Sequence, residues 1–127
     1  MSKEISRICG DLHNTLDKLK GVVRKGNPIP SANTVFQWFV KMTPVEIITN
    51  RPPVIGLNTK ADNFEAIFFF NSIKVYLSLK YSHTDYRGHP YIDFATEIHL
   101  IDELDPDKYR DAEVIKYLQN NFNIEIP

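Results

Sequence analysis

Cysteine is nearly missing from this chain of 127 residues: Cys9 stands alone. An internal disulfide is therefore excluded, and so is a zinc cage built from thiolates. A chain that folds without disulfides suits a reducing compartment, so a cytoplasmic protein is expected. Long apolar runs are missing too. No eighteen consecutive apolar residues occur, so no transmembrane helix is expected. The opening MSKEISRICGDL holds no apolar core of the kind a secretion signal needs. Internal repeats and low-complexity stretches are also absent.

A large net charge is lacking as well, at −1 overall, which argues against a broad electrostatic footprint for nucleic acid. The charge is unevenly spread. Residues 1–84 carry eleven Lys/Arg against six Asp/Glu, a net of +5, and residues 85–127 carry four against ten, a net of −6. Two solvated faces of opposite sign are one reading. The sharper one is an acidic surface near the C-terminus that meets a basic partner.

What is present is a soluble-domain composition, 43% hydrophobic and 24% charged, in a length that fits a single domain, 1–127, with a real core. Nine of the fifteen aromatic residues lie in 63–101. That stretch reads as three strands, 63–71, 73–81 and 91–101, with a tight turn and then a polar loop, 82–90, between them. Val75, Leu77, Leu79 and Tyr81 alternate with Lys74, Tyr76, Ser78 and Lys80. Ile92, Phe94, Thr96, Ile98 and Leu100 alternate with Asp93, Ala95, Glu97 and His99. An antiparallel meander with one wet face follows, with lysines of the second strand opposing Glu65, Asp93 or Glu97. Ile67 and Phe69 fall on that second face, so part of it must be covered.

Helices flank the meander. Ile5, Ile8, Leu12, Leu16, Leu19 and Val23 make one stripe over 2–25. Ser31 caps a short helix over 32–42, with Val35, Phe36, Phe39 and Val40 inward and Trp38 off the stripe. Thr43-Pro44 reads as a further helix start, and 54–57 as a short strand. Asp105-Pro106-Asp107 opens the last helix, whose stripe is Tyr109, Ala112, Ile115, Leu118 and Phe122. The residues from Asn123 to Ile126 could add an edge strand. The fold expected is α+β: N-terminal helices, a three- to four-stranded antiparallel β-meander, and a C-terminal helix packed on the sheet.

Reactive side chains concentrate in the 82–90 loop. His83, Asp85 and His89, with Asp93 beyond them, could supply acid–base groups or ligate a divalent metal, and Arg87 could hold a phosphate oxygen. Asp93, Glu97 and His99, with Lys74 or Lys80, offer a second metal-dependent arrangement. Neither set matches a specific motif; a solvated loop and a solvated strand face explain both. The order helix, three strands, helix is also that of double-stranded-RNA binders, but their last helix starts basic, and here Asp105 and Asp107 stand there.

The function expected is a small non-enzymatic protein-binding module: an inhibitor, immunity-type or phage-type accessory protein acting through a partly acidic surface. Its partner-binding residues would be Asp85, Tyr86, Arg87, Asp107, Asp111 and Glu113, since tyrosine and arginine often carry interface energy. No cofactor or resident metal is expected. The alternatives are a small metal-dependent hydrolase or nuclease using the 82–93 loop, and a structural subunit of a larger assembly with Trp38 and Phe69 as contacts.

Overall fold

The computed structural model describes residues 3–25, 30–43, 54–60, 62–70, 73–86 and 89–123. Its elements are α1 (Lys3–Lys25), α2 (Ala32–Met42), β1 (Val54–Thr59), β2 (Asn63–Phe70), β3 (Ile73–Tyr86), β4 (His89–Leu100), a 3-10 turn (Ile101–Glu103) and α3 (Tyr109–Phe122). The strands form one antiparallel sheet in the order β1-β2-β3-β4. This is the expected α+β arrangement, with N-terminal helices, a meander and a C-terminal helix.

The two faces of the sheet bury two separate cores. On the first, Leu12, Leu16, Leu19 and Val23 of α1 and Val35, Phe36 and Phe39 of α2 pack on Phe64, Phe68, Val75, Leu77, Leu79 and Tyr81. The stripe spacing in α1 and the strand alternation bring these side chains together. Phe36 meets Phe64 edge-on at 5.3 Å, the arrangement aromatic rings prefer. The Tyr81 hydroxyl donates to the Pro30 carbonyl at 2.7 Å, tying the approach to α2 onto the sheet. Ser31 caps α2 as expected, its side chain accepting from the Thr34 N–H.

On the second face, Ile67 and Tyr76 bury against Ile101 and Leu118, with Leu104, Val114 and Phe122 around them. The expected wet face is therefore partly roofed, and α3 is the element that covers Ile67. The helix crosses the strands toward β1, where Phe122 lies over Gly56. A Cβ on Gly56 would sit 2.6 Å from the Phe122 ring, so the close approach needs glycine there.

Several local expectations are corrected. Most of the 82–90 loop is sheet: β3 continues to Tyr86 and β4 begins at His89. Unbroken pairing from Val75↔Leu100 to Tyr86↔His89 carries polar residues with it, because backbone pairing does not require apolar side chains. Asp105 does not cap α3. It accepts the Asp107 N–H at 2.9 Å in a local turn, and the helix starts at Tyr109 after Lys108. Thr43 closes α2, its hydroxyl donating to the Phe39 carbonyl at 2.7 Å; the helix expected after it lies outside the described residues. Trp38 and Phe69, the contacts named for a larger assembly, are both half-buried, and Trp38 packs on the first core. Asn123 adopts a left-handed conformation at the end of α3, which asparagine tolerates. The edge strand expected from there falls mainly outside the described residues.

Candidate functional site

Beside that second core, the same face of the sheet and α3 form a cleft. Sheet register lines up Glu65 of β2, Ser78 of β3 and Glu97 of β4 on one transverse row. The next row holds Ile67, Tyr76 and His99. α3 passes over them and contributes Glu113, Val114 and Tyr117, three residues its helical repeat places on the sheet-facing side. The space between sheet and helix is about 310 Å³, lined by Glu65, Tyr76, Ser78, Glu97, Glu113, Val114 and Tyr117.

Its floor is a shared carboxylate. The Tyr76 hydroxyl donates to Glu65 Oε1 at 2.8 Å, and the Tyr117 hydroxyl donates to the same oxygen. The two rings meet edge-on at 6.3 Å. Burial, and then the Glu65 hydrogen bond and charge, lift the Tyr76 phenol well above its ordinary range. The same causes push Tyr117 up to about 12. Both phenols thus stay protonated donors at neutral pH. Beside them, Glu97 Oε1 lies 2.6 Å from His99 Nε2.

The expected lysine–carboxylate pairs across the strands do not form on this row. Lys80 stands opposite Asn63 and Ala95, and Lys74 opposite Phe69, while Ser78 stands opposite Glu65 and Glu97. Among the described residues no lysine or arginine forms a salt bridge with Glu65, Glu97 or Glu113. Three carboxylates and two electron-rich rings therefore line one cleft, a lining that attracts cations and repels anions.

The sequence-based candidates divide sharply. Glu113 lines this cleft. Asp107 is exposed on the turn before α3, and Asp111 is half-buried, its Oδ2 accepting the Asp105 N–H at 3.0 Å. Asp93 is exposed on β4, opposite Ser82. Arg87 and the side chains of His83, Asp85, Tyr86 and His89 lie outside the described residues. Backbone register puts His83 opposite Ile92 and His89 opposite Tyr86, three rungs apart. Among the described residues no three His, Cys, Asp or Glu side chains converge to hold a metal ion. Cys9 is half-buried on α1.

Sequence reasoning missed Glu65, Tyr76, Ser78, Glu97, Val114 and Tyr117 as one site. The signals were faint but present. Glu65 was the sole charged residue on its strand face, and Tyr117 follows Glu113 by four, on the same side of a helix. No described helix is long and apolar enough to cross a membrane. No protein-family model matches the chain, and no curated protein or solved structure shows significant similarity to it.

Proposed function

We propose that this protein is a non-enzymatic binding module for a basic protein partner, of the inhibitor, immunity or phage-accessory kind. The observation that carries this reading is the cleft under α3, where Glu65, Glu97 and Glu113 stand without a lysine or arginine salt bridge among the described residues. Asp102, Glu103 and Asp107 are also exposed, on the segment between β4 and α3, which carries the exposed Lys108 as well. Tyr117 is 40% exposed at the rim and offers the amphipathic aromatic contact that interfaces favour. A lysine or arginine placed in the cleft would meet carboxylates and ring faces together. The single cysteine suits a cytoplasmic setting for this binding.

The test is paired affinity capture from the native cell. The bait is the protein in three forms: unaltered, Glu97→Lys/Glu113→Lys, and Asp17→Lys on α1 as an unrelated exposed reversal. Glu97 and Glu113 are better probes than Asp111, whose carboxylate also holds the Asp105 backbone. At least one protein should be retained by the first and third forms and lost by the second. Identical sets on all three would contradict the reading. A melting temperature raised by millimolar magnesium, manganese or zinc would favour the metal-dependent hydrolase instead.

A further inference from the structure

The proposed partner surface has a neighbour that decides how a basic segment would lie on it. β4 is a terminal strand of twelve residues, about 40 Å long, paired to β3 with no irregularity. Among the described residues nothing pairs its outer side. The opposite edge is built differently. β1 has six residues, and its register to β2 shifts between Val54 and Gly56. A short, bulged strand is a common means of blocking edge pairing, and β4 lacks that device. α3 also runs away from β4, ending with Phe122 over Gly56 on β1.

The two faces of β4 differ in charge. Toward α3 it presents Asp93, Ala95 and Glu97, all exposed, and Glu97 is the wall of the acidic cleft. Toward the first core it presents Phe94, half-buried, with the Arg24 guanidinium 5.1 Å from its ring centre. We propose that β4 adds an extended segment of the partner as a fifth strand, with Lys or Arg at alternate positions on the α3 side and uncharged residues between them. This rests on the acidic-surface reading and adds the geometry of the bound segment.

The chemistry favours that occupant. Main-chain hydrogen bonds to the outer side of β4 supply affinity without regard to sequence, and alternate side chains supply selection. Directly opposed side chains on adjacent strands stand about 5 Å apart. A lysine opposite Glu97 therefore reaches the mouth of the cleft, where Glu113 also stands. Side chains on the other face would pass beside Phe94 and Arg24, which disfavours cations there. A second copy of the chain fits poorly, because β4 carries no lysine or arginine and Asp93 and Glu97 would be laid against their own kind.

The test uses the full-length protein labelled with nitrogen-15 and a blocked peptide of about nine residues, a usual strand length, alternating lysine and valine. A glutamate–valine peptide and a lysine–valine peptide with alternate backbone nitrogens methylated serve as controls. The lysine–valine peptide should slow hydrogen exchange at the β4 amides that point away from β3 by about tenfold or more, and leave β1 unchanged. The methylated peptide should lose that protection. Asp93→Lys/Glu97→Lys, at two exposed positions, should exchange the preference toward the glutamate peptide. Resonance shifts at Glu97, Glu113 and Tyr117 without edge protection would overturn the strand addition and leave the acidic-surface reading standing. Absence of any binding, or a dimer already protecting β4 without peptide, would also overturn it.

Discussion

Glu65 shows how much one residue can decide in this molecule. Its Oε1 accepts from a buried phenol, Tyr76, and from a phenol at the rim, Tyr117, so one carboxylate joins β2, β3 and α3. Glu65→Leu would leave the Tyr76 hydroxyl without that acceptor and should cost about 1–3 kcal/mol in urea denaturation. Glu65→Gln keeps an acceptor and should cost less. The same contacts set a pH dependence. Both phenols are raised above the ordinary tyrosine value of 10, Tyr117 to about 12. A raised phenol contributes stability that is fully present below pH 10 and lost as pH climbs through the folded value. Stability should thus fall between about pH 10 and about pH 12, and less steeply in Tyr117→Phe. A denaturation series across that range, with tyrosinate absorbance followed alongside, checks both the sign and the window. The Tyr117 contact was not legible from spacing, because it joins residues 52 apart that meet only once the sheet and α3 are assembled.

At the scale of elements, local signals were read well and long-range ones poorly. The α1 stripe from Leu12 to Val23, the Ser31 cap of α2 and the alternation of β3 from Val75 to Tyr81 depend on neighbours within a few residues, and all three appear in the structure. The polar hairpin arm was harder to read. His83 to Tyr86 look like a loop by composition, yet continued pairing with β4 keeps them extended. The start of α3 failed for a similar reason: Asp105 has the chemistry of a cap but spends it on the Asp107 N–H. Docking of α3 depends on a small contact. Gly56→Ala puts a methyl into the Phe122 ring and should destabilise by about 1–3 kcal/mol, the usual range for overpacking. Phe122→Leu should relieve part of that cost, which a double-mutant cycle would measure. Leu118 is fully buried in the second core, and Leu118→Ala should cost about 2–5 kcal/mol in the same assay.

On the scale of the whole molecule, the sheet separates two jobs. One face is filled by α1 and α2 and is structural. The other is partly roofed by α3, beside which lies the cleft lined by Glu65, Glu97 and Glu113. The uneven charge of the sequence drew attention to residues 85–127 and away from Glu65, which lies in residues 1–84, where the net charge is positive. Covering Ile67 with α3 also answers what lies over the second face: the chain supplies that cover itself. The most direct measurement is the association rate of the captured partner as salt rises, for the unaltered protein and for Glu97→Lys/Glu113→Lys. Association steered by an acidic cleft is fast at low salt and slows as screening shortens its reach. The unaltered protein should show that steep decline, and the double variant should start at least about tenfold slower at low salt and lose most of the decline. Equal rates with equal salt dependence in the two proteins would contradict recognition through this cleft.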